Sequence, residues 1–536
     1  MRLGRGFTDQ DREGSEPVAI ITPGIAERLW PGEDPIGRRI ATNYLADHWL
    51  TVVGVVAEAS SWTMPRGSRM AFRRRRRSGA EGPLPVPARA MQERGGDTAA
   101  DERTHMEVVV IGGGLAGLAA TARLCSAGHD VVLLEARDRL GGRVLTHHSA
   151  DLPFAVDLSA EWMNASGTVV DLVSQSGGSL LQAEGTRLRR IDGKLERLGD
   201  LPNGSLMQKL ERLQGDDRPL ARALDEVCGA SDREARDLLV AYVEGFHAAD
   251  PERVSLAWFK ETQRSTPADA SDLRAEHGAD IVVRALVGHI GTRCEVHNST
   301  VVREVRWRRG RVTVVADEEG AERTFTAERA IVTLPVSVLS AKPGRPGGVR
   351  FDPSLDAKRD ALAHLATGDV VKIVLVFDTG FWRDHAEFRE MLFVHDFTQP
   401  FPTWWTSLPL VRPVLTGWCG GPQVERVRGL QGEPLLDAAL DSLAAALGMP
   451  RGAVESRLRV WFMHDWQDDP FARGAYSYVL SGGIDAPARL AEPLEDTLYF
   501  AGEATCSGGY NATMDGAVQS GRRAADRIIE MIPAGR

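Results

Sequence analysis

Residues 106–135 read MEVVVIGGGLAGLAATARLCSAGHDVVLLE, and no other stretch restricts the possible folds as much. VVVI is apolar and β-branched enough to be a strand buried on both faces. Gly112, Gly114 and Gly117 follow as G-x-G-x-x-G, then a helix from Leu115 to Ala127, then a second strand, VVLLE. The first glycine permits the tight turn, the second lets backbone approach a pyrophosphate, and the third lets helix and strand pack closely. The helix start then offers free N–H groups and a positive dipole end to phosphate. Glu135 lies roughly 20 residues past the turn, where an acidic side chain accepts hydrogen bonds from a ribose. A lone glycine motif is weak; in strand–turn–helix–strand–acid order it predicts a dinucleotide site.

The bound dinucleotide is narrowed by what flanks this unit. Glu135 runs on into ARDRLGGRVLT, where Gly141, Gly142 and Arg143 place a fixed cation beside the expected diphosphate. Near the other end, residues 498–527 read LYFAGEATCSGGYNATMDGAVQSGRRAADR. LYFAG predicts a strand, and DGAVQSGRRAA a helix with Asp515 as N-cap. Its dipole would stabilise negative charge on a cofactor ring. A site built from two segments so far apart is an FAD arrangement; a nicotinamide domain does not need the second.

These two ends, together with the middle, resemble the flavin monoamine oxidase family, which includes polyamine oxidases, histone lysine demethylases and bacterial amine or L-amino-acid oxidases. The resemblance covers roughly residues 106–531. It runs through VDLSAEWMNAS (156–166), STVVREVRW (299–307), AERAIVTLPVSVL (327–339), VVKIVLVFDTGFW (371–382) and WQDDPFARGAYSY (466–478). It implies an α/β fold: a discontinuous FAD-binding Rossmann-like domain of the glutathione-reductase type, with a mixed sheet-plus-helix substrate domain. The FAD domain would comprise residues 106–175, 291–345 and 466–536. The substrate domain would comprise 176–290 and 346–465, with a helix-rich lid over 205–290.

The resemblance also implies roles. Lys372 matches the lysine that holds a water against flavin N5 and assists reaction with O2; a lysine inside VVKIVLVF needs a polar partner for its head. Tyr476 matches one wall of an aromatic cage that holds an amine. Thr513 stands where monoamine oxidases have the second tyrosine, as in polyamine oxidases and demethylases. Ala475 stands where monoamine oxidases carry the flavin-linking cysteine, so the FAD is expected to be non-covalent. Trp466 would pack near flavin and Lys372. Cofactor contacts are expected from Glu135, Arg137, Gly142, Arg143, Val302, Gly502, Glu503, Thr513, Met514 and Ala517, and from the three glycines above. Glu161, Trp162 and Tyr510 are expected to face substrate, with Glu161 either attracting a cationic amine or pointing outward. Ser159 replaces a glycine usual in this segment.

The expected reaction is hydride transfer from an amine α-carbon to FAD, O2 as acceptor, and release of an imine and hydrogen peroxide. The alternatives are an L-amino-acid oxidase, a desaturase or dehydrogenase, and an inactive flavin-binding regulatory protein. An amino-acid oxidase needs an arginine for the carboxylate, and none can be placed from sequence.

The first residues do not belong to this scheme. FTDQDREGSEPVAIITPGIAERLWPGEDPIGRRI followed by WLTVVGVV (residues 1–60) resembles the extracytoplasmic domain of macrolide-exporter-type ABC permeases. It reads as a non-catalytic fragment with two short strands, VAII and LTVVGVV. Residues 61–105, with the run Arg73–Arg77, read as a disordered basic linker. The net charge of −10 disfavours a nucleic-acid partner, and no apolar run is long enough to span a bilayer. The 13 histidines form no metal-spaced cluster, so no metal is expected. Five scattered cysteines without a CxxC pair point to reduced thiols and a cytoplasmic protein. The expected partners are a small amine and O2.

Overall fold

The computed structural model describes residues 3–4, 18–21, 34–41, 49–55, 105–164, 167–199, 204–265 and 272–531. The chain divides into two compact units: Met1–Arg73 with His148–Ala155, and the remainder. In the first, Leu3–Gly4, Val18–Ile21, Arg39–Ala41 and Trp49–Val55 form a four-stranded sheet, so both expected strands are present. Residues 61–104, with the arginine run, lie outside the described residues.

In the second unit the apolar strand His105–Ile111 pairs in parallel with Val131–Leu134 on one side and Ala321–Val332 on the other. Cys294–His297 extends the sheet beyond Val131–Leu134, and Leu498–Phe500 pairs in parallel with the end of Ala321–Val332. Five parallel strands thus come from distant parts of the chain. Alternation along a strand sends successive side chains to opposite faces. Val108 and Val110 enter a core with helices Leu115–Ser126, Ile281–Gly288 and Met514–Met531. Val109 and Ile111 enter a second core against the antiparallel strands Thr300–Arg308 and Arg311–Glu318. Burial on both faces explains why VVVI shows no polar alternation. Helix Ile281–Gly288 lies in the stretch expected to form the lid, yet it packs into the first of these cores.

A second sheet runs Lys194–Arg197, Thr186–Ile191, Met391–His395, Thr403–Thr406, Val414–Gly420, Val370–Phe377, Leu458–Met463. Ile373, Leu375 and Phe377 pack on the helix Glu433–Leu447. Lys372 has the opposite parity and so lies on the other face. Register places Trp418 beside Lys372, and Phe393 beside Trp405. A three-stranded sheet, Leu180–Gln182, Asp272–Ala275 and Trp162–Asn164, supplies further site residues.

The cysteines depart from expectation. Cys125, at the end of helix Leu115–Ser126, is disulfide-bonded to Cys294, at the start of the outermost parallel strand, with Cα atoms 6.3 Å apart. The pairing crosses 169 positions of sequence, which is why spacing alone could not reveal it. Oxidised protein, denatured without reductant, should titrate three thiols, those of Cys228, Cys419 and Cys506, rather than five.

Two histidines, His247 buried and His395 half-buried, set an acid limit. His247 is enclosed by Tyr242, Phe246, Trp258 and Phe259, and His395 stacks on Phe393. Burial pushes both imidazoles down to about 4, aided at His395 by the charge of Arg187. Unfolded histidines titrate near pH 6.5, so below that the unfolded chain takes up protons the folded one refuses. Their contribution is full above pH 6.5 and is lost as pH falls to about 4, on the order of 3 kcal/mol each. Melting temperatures at pH 7 and 4.5 should therefore drop less in a His247→Gln, His395→Gln protein than in the parent.

Candidate active site

The glycines of the first turn are held to glycine for different reasons. Gly112 has φ +107°, and a Cβ there would lie 2.6 Å from the Thr333 hydroxyl oxygen. A Cβ on Gly117 would lie 1.9 Å from the Gly112 carbonyl oxygen. Gly114 is different: its Cβ would meet nothing closer than the Gly142 Cα at 3.9 Å. The helix Leu115–Ser126 begins directly after it, with no capping side chain and no acidic residue in its first turn. Its orphan N–H groups and the open space over Gly114 fit a diphosphate. Glu135 is buried; its carboxylate accepts from the Gly113 N–H at 2.7 Å and the Arg137 N–H at 2.9 Å.

Arg137 was expected to contact cofactor, but its guanidinium is engaged elsewhere. It makes two bonds of 2.8 Å to Asp469 and lies over the Phe471 ring. Arg139, which the sequence did not single out, donates to the carbonyls of Leu140, Gly142 and Val144 and so shapes the GGR loop. Gly142 has φ +57°, and a Cβ there would lie 3.1 Å from the Gly114 Cα, so the two glycine loops touch.

Arg143 and Glu503 meet. Arg143 donates to Glu503 at 3.0 Å and to the Ala475 carbonyl. Glu503 is buried and also accepts from the Ser477 hydroxyl and from the Ala512 N–H at 3.0 Å. Gly502, at φ +134°, has no atom within 4 Å of where a Cβ would stand. Arg143, Thr333, Val336, Gly502 and Glu503 line one cavity. Val302 is buried in the second core at a bulge in its strand, while Met514 and Ala517 pack at the edge of the first. The cap of the last helix is not Asp515. Thr513 Oγ1 accepts from the Gly516 N–H at 2.9 Å, whereas Asp515 accepts from Val169 N–H at 3.0 Å and caps the helix Thr168–Gln175. DGAVQSG resembles a cap motif, but the hydroxyl two residues earlier has the right reach. Tyr510 contributes its carbonyl, which accepts from Thr513 Oγ1 at 2.8 Å.

The segment 157–161 gathers the remaining candidates. Trp466 is buried and donates its indole N–H to the Leu158 carbonyl at 3.2 Å. Lys372, 2% exposed, donates to the Ser159 carbonyl at 2.8 Å and to Glu161. Ser159 Oγ accepts from the Leu145 N–H at 2.6 Å, which ties this segment to the GGR loop. The Gly368 N–H donates to the Tyr476 carbonyl, and the Gly474 N–H to the Trp466 carbonyl. Tyr476 donates its hydroxyl to the Phe246 carbonyl at 2.6 Å, and burial raises the phenol's pKa.

Glu161 points neither outward nor to an open entrance. It is buried, bonded by Lys372, by the Trp405 indole N–H at 2.9 Å, and paired with Arg274 at 3.2 Å. Burial pushes its carboxyl up, but the Lys372 and Arg274 charges and these bonds outweigh that and leave it below the ordinary value. Arg274 donates to the Thr406 carbonyl at 2.9 Å and lies over Trp162, 4.2 Å from the ring centroid. Trp162 stacks on Phe393, and Trp405 tilts against Trp418. Arg274 and Trp405 were missed. Strand parity in TWWTS offered a signal, since Trp404 enters the core and Trp405 must then face the Lys372 side.

Gly114→Ala and Gly117→Ala should separate cofactor binding from folding. Gly114→Ala should melt like the parent when stripped of cofactor yet retain little FAD on purification. Gly117→Ala should lose the fold, because its methyl meets backbone.

Comparison with known proteins agrees with this geometry. Residues 115–529 match the family model of flavin-containing amine oxidoreductases, and residues 1–82 match a MacB-like periplasmic core domain. Polyamine oxidase 4 of Oryza sativa subsp. japonica is 28% identical over 466 residues, 79% of this chain and 89% of that protein. Lysine-specific histone demethylase 1 homolog 1 of Arabidopsis thaliana is 28% identical, across 79% of this chain and 52% of that protein. Among solved structures, putrescine oxidase bound to putrescine superposes with a TM-score of 0.65 at 24% identity, covering 80% of this chain and 99% of that one. Cyclohexylamine oxidase from Brevibacterium oxydans IH-35A superposes at 0.66 and 21% identity, with the same coverage. The chain belongs to the flavin-containing amine oxidoreductases and is an FAD-dependent enzyme.

Proposed function

We propose that this chain oxidises a primary or secondary amine, with O2 as acceptor and hydrogen peroxide as product. The observation that carries this is Lys372, buried on the aromatic face of the second sheet and bonded to the segment that also holds Trp466. Bound FAD supplies the two-electron acceptor for the amine α-hydrogen. Gly112, Gly114, Gly117, Glu135 and the first helix turn would hold its dinucleotide part. Arg143, Gly502, Glu503 and the start of the last helix would hold its flavin end. Arg137 orders this region through Asp469, and Val302 backs it from within the sheet. Ala475 offers no thiol, so the cofactor is held without a covalent link. Phe393, Trp405 and Trp418 cluster on the Lys372 face of the second sheet, and Tyr476 is read as one wall of an aromatic cage that strips water from an amine's hydrocarbon and favours its uncharged form. Lys372 presents a fixed cation where negative charge develops on oxygen. The names of the relatives support amine substrates, polyamines and the diamine putrescine among them.

An L-amino-acid oxidase is less well supported. The buried arginine on this face, Arg274, is already engaged by Glu161 and the Thr406 carbonyl.

Peroxide release from FAD-loaded protein should be found with members of an amine and polyamine panel and not with α-amino acids. Lys372→Met should slow reoxidation of the cofactor by O2 at least about tenfold while leaving FAD content unchanged. Turnover confined to amino acids would overturn the reading.

A further inference from the structure

Lys372 is one member of a buried charged group whose other members have no role in the reading above. Its ammonium meets Glu161 from the segment after strand Val156–Asp157. Arg274, from strand Asp272–Ala275, meets the other oxygen of Glu161, and Trp405 donates to that same oxygen. Asp157 is half-buried, accepting from Thr146 and from the Ala279 N–H; desolvation and the charge of Glu161 raise its carboxyl. Arg412 is near enough to Asp157 and Arg274 to feel both, and donates to the Glu276 carbonyl. Strands carrying Lys372, Arg274 and Trp405 therefore converge on one carboxylate.

We propose that Glu161 is a positioning residue for the amine oxidase reaction: it fixes the ammonium of Lys372, and Arg274 and Trp405 fix Glu161. The inference rests on the proposed role of Lys372. A lysine has four rotatable bonds and a mobile head. Here Ser159 and Glu161 take two of its three N–H groups, so the third has one direction left. An unpaired buried ammonium would lose its proton or its position. Glu161 alone would cancel the lysine's charge. Arg274 restores one positive charge to the group, so an oxygen anion still meets a cationic site.

The test uses FAD-loaded Glu161→Gln and Lys372→Met proteins and the double variant. Glu161→Gln should slow reoxidation by O2 about tenfold and leave the amine-driven half-reaction within about twofold. Glu161→Asp, which keeps the carboxylate, should recover part of the lost rate, and a loss confined to the oxygen half-reaction is one that a merely structural pair would not produce. Independently of activity, the melting temperatures of the two single variants should each fall by more than half the fall of the double variant, because each single variant strands one buried charge. Unchanged reoxidation in Lys372→Met would overturn the lysine's role. Slow reoxidation in Lys372→Met with a parental rate in Glu161→Gln would overturn this inference alone. If Glu161→Gln does not fold, Trp405→Phe, which removes one bond to the carboxylate, should slow reoxidation by a smaller factor; a parental reoxidation rate there would overturn the proposal.

Discussion

A charged amine cannot be left alone inside a β-sheet, and much of this active site follows from that constraint. Lys372 lies in a strand with neighbours on both sides, where its ammonium has no access to bulk water. Desolvation of this kind costs several kcal/mol unless the charge is paired and hydrogen-bonded. Compensation comes from outside the sheet, by way of Ser159 and Glu161. To deliver them, the segment after Val156–Asp157 must run directly over the lysine, and Leu145 and Trp466 anchor it there. Glu161 in turn needs its own partners, which draws in Arg274 and Trp405. One buried cation thereby fixes the relative placement of strands from four regions of the second unit.

The readable part of this molecule was its dinucleotide end. There the requirement falls on backbone shape, and glycine at Gly112 and Gly117 is a direct record of it. Lys372 was readable through the family resemblance of VVKIVLVFDTGFW, since a strand pattern by itself also allows a lysine that points outward. The charged group around it was not, since Arg274 and Trp405 are ordinary residues until the fold juxtaposes segments more than a hundred positions apart. The same holds for Cys125 and Cys294. Asp515 misled for a different reason: an acid at a helix start can cap its own helix or a neighbouring one, and only packing decides which.

The first unit follows a separate logic. Its small sheet consists of its own strands, and the family model that matches it is a different one from the model that matches the remainder. The catalytic assignment rests wholly on the second unit, to which every residue of the proposed site belongs.

The parallel sheet has a consequence for how the enzyme is made. Its central pairings join strands at positions 105, 321 and 498, so the last of them cannot form until nearly the whole chain has left the ribosome. Vectorial synthesis exposes the early strands, with their doubly buried valines, while Ala321–Val332, and later its partner Leu498–Phe500, are still missing. Cofactor capture is thus a late event, and the nascent protein depends on whatever shields that unfinished sheet in the interval.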